Sequence, residues 1–90
     1  MLLHPDEISK SISNYGWNFQ DNKINKVFTF EKYLDGVNFI NEIAPLAERL
    51  NHHPDIKLGY CKVEIDITSH DMGGVTTKCI NLATSIESIK

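Results

Sequence analysis

Asn51, His52, His53 and Pro54 follow one another, and His70 comes seventeen residues after the second imidazole, inside the run Thr68, Ser69, His70, Asp71. With only four histidines in the chain, two side by side and a third among hydroxyl and carboxylate groups is a pattern with chemical content. Histidine is the side chain whose unperturbed pKa lies nearest neutrality, so it gives and accepts protons at ordinary rates. His52, His53 and His70 converging on one cleft make an acid and base site. Successive side chains diverge by roughly 100° where a helix persists, so His52 and His53 do not address the same atom. One acts while the other orients. Thr68, Ser69 and Asp71 supply the polar groups that hold a small heterocycle.

Spacing by itself leaves quieter readings open. His52 and His53 also fit a polar helix terminus whose last carbonyls favour nearby imidazoles, with His70 a surface residue after a strand. A metal site competes as well, but the nearest carboxylates, Asp55 and Asp71, complete no HExxH or Cys/His grammar, so no metal is expected. His4, before Pro5, reads as an improvised helix cap. No serine sits in a GxSxG elbow, neither cysteine has an activating neighbour in sequence, and Gly73 and Gly74 make a lone turn rather than a phosphate loop.

The elements that must position these groups follow from periodicity. Pro5, the acidic Asp6 and Glu7, and Ile8, Ile12 and Tyr15 predict a short helix closed by Gly16. The runs 17–20 and 24–30 predict a hairpin about Asp21, Asn22 and Lys23, with Ile24, Lys26, Phe28 and Phe30 on one face. Residues 31–50 predict a long helix whose apolar positions, from Tyr33 and Val37 to Leu50, fill about half its circumference. Pro45, on its polar side, predicts a kink, because proline cannot donate to the Asn41 carbonyl. Residues 56–60 and 62–70 predict a second hairpin, and Thr76 caps a closing helix. The order helix, strand, strand, helix, strand, strand, helix predicts an α+β two-layer fold: one domain over residues 1–90, with a four-stranded antiparallel sheet and the helices on one face.

Composition narrows the function. A chain that is 41% hydrophobic and 23% charged folds rather than staying disordered. At this length it buries roughly 60 to 65% of its surface, so subunit contacts are an expected source of stability. The long helix's apolar face is wider than one sheet covers, which predicts a homodimer or homotetramer. A net charge of −3 argues against gripping nucleic acid or anionic lipid and for a small, roughly neutral ligand. No apolar run approaches a membrane span and the start has no basic flank, so a cytoplasmic protein is expected, with Cys61 and Cys79 as free thiols.

The run from Ala47 to Gly74, followed by Val75 to Glu87, resembles the pterin-4a-carbinolamine dehydratases, also known as dimerisation cofactors of a homeodomain transcription factor. The likeness extends back to Gly16 and Trp17, about five sixths of the chain. Its motif residues are Glu48, His52, His53 and Pro54, then Tyr60, then Thr68, Ser69 and His70 ahead of Gly74 and Val75. The resemblance implies removal of water from a 4a-hydroxytetrahydropterin to give the quinonoid dihydropterin, with no cofactor and no metal. His52 and His70 then become the acid and base pair and His53 an assisting group, while Asn51, Thr68, Ser69 and Asp71 stand where the family contacts the pterin. Glu48 is either the group that orients His52 or a solvated helix residue. Two departures stand out. Asn51 occupies a position where the family often has Asp, losing a charge that would raise a neighbouring imidazole pKa. Cys79 replaces the Asp that completes the last helix's capping box, a poor substitution worth about 0.5 to 1 kcal/mol of helix stability. The rival reading is a non-catalytic interaction protein of the same fold that binds a partner helix.

Overall fold

The computed structural model describes residues 2–90. Helix α1 (Pro5–Ile12) starts where Pro5 pre-sets φ and Glu7 Oε1 accepts the His4 N–H at 3.0 Å. Its continuation tightens to a 3₁₀ turn, Ser13–Tyr15, and stops at Gly16, whose φ of 80° suits glycine. Strands β1 (Asn18–Gln20) and β2 (Lys23–Thr29) are joined through Asp21 and Asn22, at φ 54° and 62°. Two successive left-handed residues match the twist of a tight hairpin, and Asp and Asn are the side chains that tolerate them.

Helix α2 (Tyr33–Leu50) runs as one element through Pro45. Pro45 and Asn41 both lie on the exposed side, where the carbonyl that loses its donor meets solvent. Strands β3 (Asp55–Gly59) and β4 (Lys62–Ile67) form the second hairpin, and α3 (Thr77–Ile89) closes the fold from an N-cap at Thr76.

The sheet order is β1-β2-β4-β3, antiparallel throughout. Ile24 stands opposite Ile67 and Phe28 opposite Val63 across the central pair. These side chains and Ile65 are buried under Ile8, Ile12, Phe39, Ile43, Leu46, Leu82 and Ile86 of the helices. Each is worth about 1.5 to 3 kcal/mol on burial. The other face carries Asn25, Val27, Glu64 and Asp66 and has no helix, so the protein is an α+β fold with helices on one face of a four-stranded sheet, as its periodicity predicts. Lys26 sits on the covered face between Ile24 and Phe28. Its ammonium reaches Glu87 Oε2 of α3 at 2.6 Å, and Trp17 Nε1 donates to the same oxygen at 3.1 Å.

One boundary differs from the sequence reading in a way that matters for the site. The last strand ends at Ile67 rather than running to His70. Ser69 then pairs with Gly74, and its carbonyl accepts the N–H groups of Met72, Gly73 and Gly74 at 3.1, 2.8 and 3.3 Å. Gly73, at φ 73°, allows that reversal. Residues 69–74 are therefore a tight loop closed on Ser69, with His70 and Asp71 in its turn.

Candidate active site

The C-terminus of α2, the 69–74 loop and the first turn of α3 meet at one end of the fold. Asn51 takes the left-handed conformation, φ 52° and ψ 44°, so its N–H reaches Glu48 O at 3.2 Å and the His52 N–H reaches Ala47 O at 3.1 Å. This pair of bonds is a Schellman closure, and asparagine is the commonest residue after glycine to make one. The closure fixes the His52 backbone against the helix end, and Pro54 prevents the helix from resuming.

His52 opens onto a cleft of about 420 Å³ whose walls are Asn51 and His52 from the α2 exit, Ser69, Asp71 and Met72 from the loop, and Thr76, Thr77 and Lys78 from the start of α3. That volume suits one small ring system. Of the residues singled out in the sequence, the cleft gathers Asn51, His52, Ser69 and Asp71. Thr68 turns away, its hydroxyl donating to Asn22 O at 2.7 Å. His53 is exposed and its Nε2 pairs with Glu48 Oε2. Glu48 is thus the partner of His53 and not of His52. His70 is exposed at the rim, with Nε2 3.9 Å from Asp55 Oδ2.

The electrostatics centre on His52. Burial holds its pKa below the ordinary 6.5, the Lys78 ammonium pushes the same way, and the Asp71 carboxylate opposes them. Positive charge on His53 or His70 also disfavours its protonation, so both rings lie within electrostatic reach. The balance favours the neutral imidazole of His52.

Its ring nitrogen has a partner that the sequence does not announce. His52 Nε2 lies 3.2 Å from Cys79 Sγ, which is buried at the third position of α3. Cys79 Sγ also receives the Thr76 N–H at 3.5 Å and lies 3.4 Å from Ser69 Oγ, which is 2.7 Å from Thr76 Oγ1. The capping bond is thus made by a larger and softer acceptor than a carboxylate. Lys78 and Thr77 likewise escape a reading by motif. The signal available for all of them is that a helix beginning at Thr76, just after a loop bearing Ser69 and Asp71, must aim its first turn at that loop. Among the described residues, no three His, Cys, Asp or Glu side chains are grouped to hold a metal ion, and no helix is long and apolar enough to cross a membrane.

Fold and cleft together define a small α+β domain with an imidazole at the mouth of a polar pocket. The chain belongs to the pterin 4 alpha carbinolamine dehydratase family, whose model matches residues 1–89. A protein of Sulfolobus acidocaldarius, provisionally named pterin-4-alpha-carbinolamine dehydratase, is 35% identical over 91 residues and is matched across 100% of both chains. The crystal structure of a transcriptional coactivator/pterin dehydratase from Brucella melitensis superposes with a TM-score of 0.92 at 27% identity, covering 99% of this chain and 98% of that one. A pterin dehydratase-like protein identified as a RuBisCO assembly factor in the alpha-carboxysome shares the fold, with a TM-score of 0.70 at 22% identity over 82% of this chain and 88% of its own.

Proposed function

We propose that the protein dehydrates a 4a-hydroxytetrahydropterin to the quinonoid dihydropterin by histidine acid and base catalysis, returning the oxidised cofactor to a reducible form. The observation that carries this reading is His52 opening onto a cleft walled by Asn51, Ser69 and Asp71, where burial and Lys78 disfavour its charged form. In the reaction the carbon–oxygen bond at the 4a position breaks, the oxygen takes a proton and leaves as water. The adjoining ring nitrogen loses its proton as the carbon–nitrogen double bond forms. His52, kept neutral by burial and Lys78, is the base for the nitrogen proton. His70, in the rim loop beside Asp55, is the acid for the departing hydroxyl, and His53, oriented by Glu48, assists. Asn51, Ser69 and Asp71 hold the pterin edge, while Thr68 serves through the loop it anchors to Asn22. Two imidazoles are enough for both proton transfers, and the reading calls on no metal or bound cofactor.

The test is dehydration of synthetic 4a-hydroxytetrahydropterin by the wild type and by His52→Ala and His70→Ala. The wild type accelerates the reaction, and each variant loses of the order of 10²- to 10⁴-fold. A wild type that runs at the spontaneous rate defeats the proposal.

A second feature supports self-association. Phe39, Ile43, Leu46 and Ala47 of α2 are buried in the core, whereas Tyr33, Val37, Ile40 and Ala44, spaced as one stripe along the helix, are only partly covered or exposed. A second copy laying the same stripe antiparallel would make a homodimer, and sedimentation of the wild type against Ile40→Glu checks it. The rival is a non-catalytic role in which that stripe takes a helix of another protein, as befits a fold shared with an assembly factor. It is favoured if the chain sediments as a monomer and leaves the pterin substrate untouched. The dehydratase reading places the protein in the cytoplasm, acting on a free pterin without direct contact with nucleic acid.

A further inference from the structure

We propose that Cys79 is the positioning residue for His52: its sulfur takes the Nε2–H of the imidazole and holds the ring with Nδ1 facing the cleft as the proton-accepting atom. The pairing stands on geometry, while its catalytic consequence rests on the dehydratase reading above.

The sulfur lies 3.2 Å from Nε2, which assigns that nitrogen to Cys79 and leaves Nδ1 for a guest. Sγ is itself immobile. Cys79 is fully buried, and its sulfur is held by the Thr76 N–H at 3.5 Å in the first turn of α3. With that assignment the protons along this chain are ordered in one direction. His52 Nε2–H donates to Sγ, the thiol donates to Ser69 Oγ at 3.4 Å, and the Ser69 hydroxyl donates to Thr76 Oγ1 at 2.7 Å. Thr76 Oγ1 lies 3.7 Å from the same sulfur, and among the described residues no buried side-chain nitrogen or oxygen lacks a partner. The imidazole is thus aimed by groups on α3 and the 69–74 loop, while its backbone is aimed by the end of α2.

A thiol does this differently from a carboxylate. It orients the ring without adding an anion that would stabilise the imidazolium. The titratable groups within electrostatic reach of His52 are Lys78 on α3, Asp71 in the loop, and the exposed imidazoles His53 and His70, and only Asp71 favours its protonation. With a neutral acceptor at position 79 the ring remains a free base into mildly acidic solution.

The test compares Cys79→Ala, Cys79→Ser and Cys79→Asp by two independent readouts, the NMR titration of the His52 imidazole in the ligand-free protein and turnover of 4a-hydroxytetrahydropterin against pH. Cys79→Ala loses kcat of the order of 10- to 100-fold with little change in KM, because the ring is no longer aimed. Cys79→Ser recovers most of that loss, which a packing role does not explain, since a smaller polar residue fills the core no better than alanine. Cys79→Asp raises the His52 pKa by about one unit or more and moves the acidic limb of the pH profile with it. The proposal is overturned if the Ala and Ser variants have equal kcat, or if Cys79→Asp leaves the His52 titration where the wild type has it. Should Cys79→Ala fail to fold, the Asp titration decides alone. A wild type without dehydratase activity defeats the reaction assignment, and the titration still decides the pairing.

Discussion

Substituting Asn51 by Gly and by Ala separates what its backbone does from what its side chain does. At φ 52° and ψ 44° the residue is in the left-handed region, which costs an ordinary L residue roughly 1 to 2 kcal/mol and glycine nothing. Asparagine recovers part of that cost, so Asn51→Ala is worth about 1 kcal/mol of stability. Asn51→Gly is near neutral, its unstrained φ offset by the larger entropy of an unfolded glycine. In a chain of this size 1 kcal/mol moves Tm by about 4 to 8 °C, which a thermal melt resolves. The activity arm separates the variants further. Both lose the side chain that lines the cleft, which for one hydrogen bond is about 0.5 to 1.5 kcal/mol, or roughly two- to twelvefold in KM. Only Asn51→Ala also strains the bond from the His52 N–H to Ala47 O, 3.1 Å long here, and so it alone loses kcat. If the two variants melt together and share one kcat, the helix closure is not what aims His52, and the account of the site built on it is wrong.

The charges around His52 predict opposite shifts. Lys78→Gln raises its pKa and Asp71→Asn lowers it, in the NMR titration and in the acidic limb of kcat/KM alike. The same ring ties stability to pH. Its folded pKa lies below the ordinary 6.5, so between those values the unfolded chain binds more protons. Stability therefore holds above 6.5 and falls as the pH drops through that window, and urea midpoints for the wild type flatten in His52→Ala. Glu87→Ala removes the carboxylate from the Lys26 ammonium, which keeps the Tyr15 carbonyl, and leaves the Trp17 N–H without its partner, in a pair whose side chains are only 21% and 16% exposed. The loss is about 2 to 3 kcal/mol by urea denaturation, below the range for fully buried pairs, and Glu87→Gln loses less. Glu48→Ala, at an exposed pair, changes stability by less than about 0.5 kcal/mol and leaves the His52 titration where the wild type has it.

Periodicity carried the fold because each element states its own buried face. Ile24 and Phe28 alternate on β2, Val63, Ile65 and Ile67 on β4, and Phe39, Ile43 and Leu46 recur on α2, all of them buried. What it could not carry is the end of a strand. Thr68, Ser69 and His70 continue the alternation of β4 on paper, and only the carbonyl of Ser69 gathering three N–H groups reveals a loop. The candidate site was legible only in part, since Thr68, His53 and His70, singled out with the others, do not line the cleft. Asn51, His52, Ser69 and Asp71 sit beside each other in two short runs and reach one cleft, whereas Lys78 and Cys79 belong to a helix that periodicity reads only as packing. Cys79 in particular fits the apolar stripe with Leu82 and Ile86, so its side chain reads as core. Burial and hydrogen bonding to His52 are compatible in a thiol as they are not in most polar side chains.

The two departures from the family's commoner residues bear on the same ring. Asn51 sits at the helix closure that fixes the His52 backbone, and Cys79 holds the far side of its imidazole. In each case a neutral side chain stands where the resemblance leads one to expect a carboxylate, and the orienting role is kept, by a left-handed asparagine at one position and a sulfur acceptor at the other. Charge is what changes. With Lys78 close by and Asp71 the only anion that raises the His52 pKa, both replacements act in one direction, away from the imidazolium. Were the aim of the site a permanently protonated acid at this position, both changes would oppose it. For a base that must be uncharged before the pterin arrives, both contribute, and this coherence of two unrelated positions is why His52, rather than His70, is assigned the proton-accepting role.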